Sequence, residues 1–257
     1  DESFIDDRRP VVNAGLWDGR DVVIANLRAV ADAAANITSV IATRGKRLAL
    51  SRIRSSNRDP RQGEFGVEML NIVEIDTEGR IAAHVEYDPD DIDAAVAELD
   101  ARYLAGEAAG HARTWSAVMR AYTELNRGEL PTTTPDFEDI DHRRAAAMAP
   151  GELIEYLRAA LDQTPELSIY IEAVHLLSDR GAIVTHAAHG TSREGFDAEW
   201  REVSLLTAGG DTLNRCELFD ETDLDAALAR FDELDRQASS VEQVSAPDNE
   251  GPPGSYA

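Results

Sequence analysis

IDHRR, at residues 140–144, is a near copy of IDDRR at residues 5–9, with His142 in place of Asp7. A single five-residue match could arise by chance, so its weight depends on whether other stretches repeat in the same order. Internal repeats of a fixed period decide how a chain divides into structural units.

Two further pairs keep that order. YDPDDIDAAVAELD, which starts at Tyr87, matches FDETDLDAALARFDELD, which starts at Phe219. NLRAV at residues 26–30 matches YLRAA at residues 156–160. All three pairs lie about 130 residues apart, and this co-linearity predicts an internal duplication.

The composition restricts the possible partners. The 257 residues include 25 Lys and Arg against 49 Asp and Glu, which gives a net charge of −24. Such a surface repels phosphate backbones and anionic lipid headgroups, so we predict neither a nucleic-acid partner nor a membrane partner. The charge also fits the acidic proteome of a salt-tolerant bacterium and indicates nothing about chemistry.

Cysteine content and hydropathy predict a cytoplasmic protein. Cys216 is the only cysteine, which excludes an internal disulfide and a cysteine-based zinc site. No apolar run approaches the roughly 18 residues needed to cross a bilayer, and the first residues do not resemble a signal peptide.

The second copy predicts helices on either side of a run of strands. RTWSAVMRAYTELN places Trp115, Val118 and Tyr122 on one helical stripe, and a second helix lies between Pro150 and Pro165. The stretch PTTTPDFED between these helices predicts a loop. Four strands at 169–177, 182–191, 199–207 and 212–219 follow, and a helix that begins near Thr222 closes the copy.

The first copy predicts the same order, with a helix at 21–33, strands at 37–43, 47–55, 65–75 and 80–87, and a helix at 91–103. It lacks a counterpart of the helix that carries Trp115, so we expect the sequence to be part of a longer polypeptide. The predicted units are 1–107 and 108–237, followed by a disordered tail at 238–257 that is rich in Ser, Pro and Gly.

Three motifs resemble a known family. LNRGEL at 125–130, FEDIDHRR at 137–144 and IDTEGRI at 75–81 resemble motifs of the SnoaL-like branch of the nuclear-transport-factor-2-like superfamily. The resemblance implies an α+β fold of two tandem cone-shaped domains, each a curved antiparallel sheet packed on helices, with the first lacking its N-terminal helix. Such a tandem also resembles the C-terminal region of large actinobacterial regulatory proteins.

This superfamily includes ketosteroid isomerases, polyketide cyclases, epoxide hydrolases and non-catalytic binding modules, so the fold alone does not assign an activity. The isomerase requires a carboxylate base, a phenol and a protonated acid around one carbonyl. Alignment on LNRGEL places the base near Asp141 but leaves Ala121 and Val203 in the other two positions. Tyr122 and Glu202 are each one residue away, which argues against isomerase chemistry.

The IDHRR cluster has two interpretations. Asp141 and His142 could form a proton-transfer pair at the mouth of a cavity, with Arg143 as a ligand contact. Alternatively, the Asp and Arg residues that recur in both copies could tie this corner to the sheet. On this second interpretation, His142, which is not repeated, is the stronger candidate for a functional role.

THAAHG, at residues 185–190, suggests a metal site, but a spacing of three sends His186 and His189 to opposite faces of a strand. We therefore predict neither a metal nor a cofactor. One of the two histidines can enter the cavity with side chains from the neighbouring strands. The predicted ligand contacts are Tyr122, Arg143, Tyr170, Glu172, His186, Trp200 and Glu202.

The sequence thus favours a non-catalytic module of a larger cytosolic regulatory protein, which senses a small molecule or associates with other subunits. The alternative is a small-molecule isomerase, cyclase or hydrolase that uses Asp141 and His142. The expected partners are a small apolar or polyketide-like ligand, a second copy of the chain, or upstream domains of the same polypeptide.

Overall fold

The computed structural model describes residues 4–9, 15–57, 66–146, 148–164 and 167–245. Its first half contains six strands and two helices among these residues. They are β1 (Phe4–Asp7), β2 (Gly15–Asp18), α1 (Arg20–Ala33), β3 (Ala34–Arg44), β4 (Leu48–Asn57), β5 (Gly66–Ile75), β6 (Ile81–Tyr87) and α2 (Ile92–Ala105).

The second half opens with a short 3-10 turn at Ala109–His111. The remaining elements are α3 (Ala112–Asn126), β7 (Thr133–Asp141), α4 (Leu153–Gln163), β8 (Ser168–Leu177), β9 (Gly181–Thr191), β10 (Asp197–Gly209), β11 (Thr212–Asp220) and α5 (Leu224–Ser245). No helix among the described residues has the length and apolar character needed to span a bilayer.

The strands form one large curved sheet of 11 strands in the order β2-β1-β6-β5-β4-β3-β8-β9-β10-β11-β7. Each half contributes an antiparallel run of four strands, and in each half the last of the four also pairs in parallel with an earlier strand. These parallel pairs are β1 with β6 and β7 with β11. The predicted α+β class is confirmed, and the strand order of the first half recurs in the second.

The two halves do not form separate sheets as the tandem-domain prediction expected. β3 and β8 join them as a parallel pair, through Thr43 opposite Ala173 and Arg44 opposite Val174. Each is the first strand of its four-stranded run and lies at the end of that run, so pairing the two makes the sheet continuous.

Three strands were absent from the sequence prediction, namely β1, β2 and β7. β7 falls in the stretch PTTTPDFED, where Pro135 favours a loop. The strand forms because it lies at the edge of the sheet, where only one side needs hydrogen bonds. Its register with β11 shifts between Leu213 and Arg215, which accommodates the proline.

The predicted tail also differs from the structure. Helix α5 continues to Ser245 and so includes the first residues of the stretch predicted as disordered, while 246–257 lies outside the described residues. Ala227 and Phe231 of α5 pack on a buried cluster that includes Ile183, Val203 and Phe219. This face of the second-half sheet is therefore covered by α5, and the opposite face remains available for a site.

Gly181, at the start of β9, provides a test of this packing. A Cβ atom there would collide with the backbone oxygen of Leu206 and lie 3.1 Å from a ring carbon of Phe231. Gly181→Ala should therefore lower the free energy of unfolding by about 1–3 kcal/mol, measured by urea denaturation. Gly66→Ala is the matched control, because its Cβ would meet nothing within 4 Å. Equal stabilities of the two variants would contradict the prediction.

Candidate functional site

A cavity of about 430 Å³ lies between the second-half sheet and the helices α3 and α4. Most of its wall is apolar, and polar side chains enter it from α3, α4, β7, β9, β10 and β11 and from the segments after β7 and α4. The apolar wall includes Ala121, Leu125, Phe137, Leu153, Leu157, Ala160, Ile169, Leu206, Leu213 and Leu218.

Four polar side chains of this wall form one connected network. The hydroxyl of Tyr122 lies 3.0 Å from Nδ1 of His186, and Nε2 of His186 lies 3.0 Å from Oε1 of Glu202. The other oxygen of Glu202 accepts a hydrogen bond from Arg143. Ser204 also approaches the histidine, with its Oγ 3.3 Å from Nδ1.

The charge of Glu202 determines the orientation of the histidine. Burial on its own raises the pKa of Glu202, but hydrogen bonds and charge from His186 and Arg143 outweigh it and hold the pKa below its usual value. An ionised carboxylate can only accept, so Nε2 of His186 carries a proton. In the neutral ring Nδ1 is then an acceptor, and it faces the hydroxyl groups of Tyr122 and Ser204.

Two further titratable groups of the cavity, Tyr122 and Cys216, are neutral. Burial raises the pKa of Tyr122 well above its usual value, so its hydroxyl stays protonated and can donate. Burial also raises the pKa of Cys216, so its thiol carries no charge. Around His186 the cavity therefore presents the phenol of Tyr122 and the hydroxyl of Ser204 beside the ion pair of Glu202 and Arg143.

Asp141 and Arg143 form the clamp that carries this network. Nε and Nη2 of Arg143 each lie 2.8 Å from an oxygen of Asp141, which makes the contact bidentate. The first half repeats the clamp with Asp7 and Arg9, again at 2.8 Å. In the structure Asp141 thus corresponds to Asp7, whereas the match of IDHRR with IDDRR pairs Asp141 with Asp6.

Asp139, rather than Asp141, anchors the helix that follows the corner. Its Oδ1 accepts hydrogen bonds from the backbone N–H groups of Gly151 and Leu153, at 2.9 and 3.3 Å. These donors stand at the start of α4, where backbone N–H groups lack partners within the helix. The contact fixes α4 over the cavity.

His142, predicted to act with Asp141, lies outside the cavity lining. Its Nε2 is 2.7 Å from Oε2 of Glu217, and its ring stacks on Phe219 with centroids 4.5 Å apart. Phe219 belongs to the face covered by α5. Asp141 is likewise not a lining residue, and its carboxylate accepts hydrogen bonds from Arg143.

Tyr170 and Glu172 also lie outside the lining. Ile169 of β8 faces the cavity, so the alternation of a strand directs Tyr170 to the other side of the sheet. Glu172 accepts hydrogen bonds from Arg201 instead. The other predicted contacts, namely Tyr122, Arg143, His186, Trp200 and Glu202, do line the cavity.

Several polar lining residues were not predicted from the sequence, among them Ser204 beside His186 and Cys216. Ser204 follows Glu202 by two positions and therefore shares its face, which is the signal that could have identified it. Val203, which the alignment placed at the acid position, packs on the α5 face. Glu202 occupies the cavity in its place, and Tyr122 lines the cavity beside Ala121.

The first half lacks this network at the equivalent positions. β10 pairs Glu202 with His186, and the corresponding pair between β5 and β4 is Met69 with Ile53. The sulfur of Met69 lies 3.4 Å from Arg9. It takes the place of the Glu202 carboxylate, which contacts Arg143 in the second half. Asn71 instead faces His84, whose pKa is lowered to about 4, chiefly by burial.

Across the part of the chain that the structure describes, no three His, Cys, Asp or Glu side chains are arranged to hold a metal ion. His189 is exposed, and His175 contacts Thr185 at 2.8 Å.

No family model matches the chain, and no curated protein matches it significantly. Among solved structures, the neighbours are SnoaL-like and nuclear-transport-factor-2-like folds at low identity. A SnoaL-like polyketide cyclase candidate from Jannaschia sp. covers 44% of this chain and 88% of its own, at 16% identity and a TM-score of 0.36.

The pinacolase BvnE from Penicillium brevicompactum covers 50% of this chain and 96% of its own, at 16% identity and a TM-score of 0.37. A nuclear-transport-factor-2-like protein of unknown function from Burkholderia pseudomallei covers 43% of this chain and 92% of its own, at 16% identity and a TM-score of 0.35. Each of these three structures aligns with half of this chain or less, and the roles of the cavity residues rest on their own geometry.

Proposed function

We propose that the chain is a tandem of two SnoaL-like domains, at 1–107 and 108–237, and that the second binds a small, mostly apolar molecule bearing a carbonyl or hydroxyl oxygen. The observation that carries this proposal is a mostly apolar cavity of about 430 Å³ in which the side chains of Tyr122, His186 and Glu202 form one network. Apolar walls with a few convergent polar groups are typical of small-molecule sites.

The difference between the halves supports a specific role for the second. The clamp of an aspartate and an arginine recurs, but His186 and Glu202 have Ile53 and Met69 as their counterparts. The first half joins its clamp to Glu86 and His84 of β6 instead, so both halves bury a carboxylate and a histidine beside the clamp, but on different strands. The second-half network lies in the lining of the cavity, which favours ligand recognition there.

The arrangement of His186 supports catalysis as a second candidate. Glu202 orients the imidazole through Nε2, and Nδ1 faces the hydroxyl group of Tyr122. A base held by a carboxylate and within hydrogen-bond reach of a hydroxyl can transfer protons to or from a bound ligand. Under this alternative the acid–base role belongs to His186 rather than to Asp141 and His142.

A cavity-filling variant tests the binding proposal. Ala160 of α4 lines the cavity, so Ala160→Trp should reduce ligand affinity at least about tenfold by occupying the site. The ligands are a panel of hydroxylated naphthoquinones and anthraquinones, titrated by isothermal calorimetry. Arg158→Trp, at an exposed position of the same helix outside the lining, is the matched control.

Binding by the wild type and the control, but not by Ala160→Trp, supports the site. Binding that is equal in all three proteins, or absent throughout the panel, contradicts it. Mass spectrometry of the same mixtures separates the two candidate functions, because catalysis produces a new molecule and binding does not.

A further inference from the structure

The directions of the hydrogen bonds in the cavity network follow from Glu202. Its carboxylate is an acceptor only, and its two oxygens face Arg143 and Nε2 of His186. Nε2 therefore carries the proton of the neutral ring, and Nδ1 offers a single lone pair toward the cavity.

Two hydroxyl groups compete for that lone pair. The oxygen of Tyr122 lies 3.0 Å from Nδ1 and the oxygen of Ser204 lies 3.3 Å from it, and the two hydroxyl groups also hydrogen-bond to each other. One hydroxyl donates to Nδ1, and the other donates to the oxygen of the first. In either order both hydroxyl hydrogens are used inside the network, and oxygen lone pairs remain for a ligand.

These acceptors lie at the enclosed end of the cavity. Tyr122, His186 and Ser204 are each at most 6% exposed, whereas Tyr156 and Trp200, which also line the cavity, are 39% and 37% exposed. An apolar ligand that fills the cavity therefore places its far end against the two hydroxyl oxygens.

The neighbouring groups add little donor capacity at this end. All three guanidinium nitrogens of Arg143 already contact the carboxylates of Asp141 and Glu202. Cys216 contributes a thiol, which is a weak donor. A ligand group that reaches Tyr122 and Ser204 thus meets acceptors rather than free donors.

We propose that the ligand presents a hydroxyl hydrogen, from an alcohol, a phenol or an enol, to the oxygens of Tyr122 and Ser204, and that Glu202 sets this preference as a positioning residue. This ligand class rests on the proposed function of the cavity and narrows it. A hydroxyl adds one hydrogen bond and breaks none, whereas a carbonyl takes a hydrogen that the network already uses. Hydrogen bonds that all point toward one carboxylate also polarise one another, which strengthens the bond from the ligand.

Glu202→Gln tests the direction of the chain, because it allows that direction to reverse. Arg143 would donate to the oxygen of the new amide, which turns the amide N–H groups toward Nε2 of His186. The imidazole proton then moves to Nδ1, and Tyr122 becomes free to donate into the cavity. Nitrogen chemical shifts of His186, measured by NMR without ligand, should show the Nε2–H tautomer in the wild type and the Nδ1–H tautomer in the variant.

Isothermal calorimetry with 1-tetralol and 1-tetralone measures the preference, since the two probes share a carbon skeleton and differ in a hydroxyl and a carbonyl. The wild type should bind the alcohol about 5-fold to 10-fold more tightly, as expected for one additional hydrogen bond. Glu202→Gln should abolish or reverse this ratio. Glu199→Gln is the matched control, because it removes the same charge from an exposed position of β10, and it should keep the wild-type tautomer and ratio.

An Nδ1–H tautomer in the wild type overturns the proposed ligand class, as do equal affinities for the alcohol and the ketone, and in both cases the binding site itself stands. A Glu202→Gln protein that keeps the wild-type ratio removes Glu202 from its role. Failure of both probes to bind the wild type contradicts the proposed function and the ligand class with it. The measurements on the wild type are decisive even if the variant does not fold.

Discussion

Replacement of Arg44 by methionine is expected to lower the free energy of unfolding by about 3–5 kcal/mol, as is typical when one partner of a buried ion pair is removed. Arg44 is 1% exposed. Its Nε lies 2.6 Å from Oδ1 of Asp100 on α2, so the variant would leave a carboxylate that is only 13% exposed without its cation.

The same guanidinium also connects the two halves. Nη1 donates to the backbone oxygen of Ile171 on β8 at 3.0 Å, and the guanidinium carbon lies 5.6 Å from the ring centroid of Trp115 on α3. Burial raises the pKa of Asp100 despite the opposing effect of Arg44. The carboxylate is therefore costly to bury even when it is paired, and more so without Arg44.

Urea denaturation of two further variants checks the origin of this loss. Arg113→Met removes an ion pair with Asp211 in which both side chains are more than 70% exposed, and it should change stability little. Arg44→Met/Asp100→Leu should recover part of the loss, because it removes the unpaired charge. If Arg44→Met and Arg113→Met proved equally stable, a central role for Arg44 would be contradicted.

The order of helices and strands could be predicted where the hydrophobic periodicity and the residues that end each element indicate the same boundaries. The stripe through Trp115 and Tyr122 predicted α3, and β-type runs predicted the four strands of each half. β7 was missed because Pro135 is compatible with a strand only at an edge, and no local pattern identifies an edge. The β3–β8 pair was also unpredictable, since two residues of register leave no signal in the sequence.

Several of the residues predicted as contacts line the cavity, but the sequence could not decide which face of β10 points into it. β10 is buried on both sides, with Ser204 and Leu206 toward the cavity and Val203 and Leu205 toward α5. Alternation marks a face only when one side of a strand is polar, so the pattern could not decide whether Glu202 or Val203 entered the cavity. His142 was misjudged for a different reason. It is not repeated in the first half, which favoured a functional role, but its ring stacks on Phe219 at the face that α5 covers.

Replacement of Arg143 by methionine should have an effect of similar size, about 3–5 kcal/mol at neutral pH. Arg143 is bidentate to Asp141, whose side chain is 1% exposed, and it also contacts Glu202, whose side chain is 10% exposed. The variant would leave two buried carboxylates without their shared cation. The variant should also weaken the proposed ligand binding in the cavity, because Glu202 would no longer be fixed beside His186.

The loss should depend on pH in a defined direction. The pKa of Glu202 in the folded protein is below its usual value of 4.5, so its interactions stabilise the fold above that pH and are lost as the pH falls through the lowered pKa. Without Arg143 the pKa of Glu202 rises, and protonation relieves the buried charge at higher pH. The difference in stability between wild type and variant should be largest near neutrality and narrow as the pH falls below 4.5.

Arg201→Met is the control that separates this effect from a general loss of positive charge. Arg201 is adjacent to Glu202 on β10, but it is 41% exposed and pairs with Glu172 and Glu199. Exposed ion pairs contribute little, so this variant should unfold close to the wild type at every pH. If Arg143→Met and Arg201→Met lost equal stability, or if the loss for Arg143→Met grew toward acid pH, Arg143 would not be the cation that keeps Glu202 ionised. Glu202 would then not hold the imidazole of His186 in a fixed orientation in the cavity.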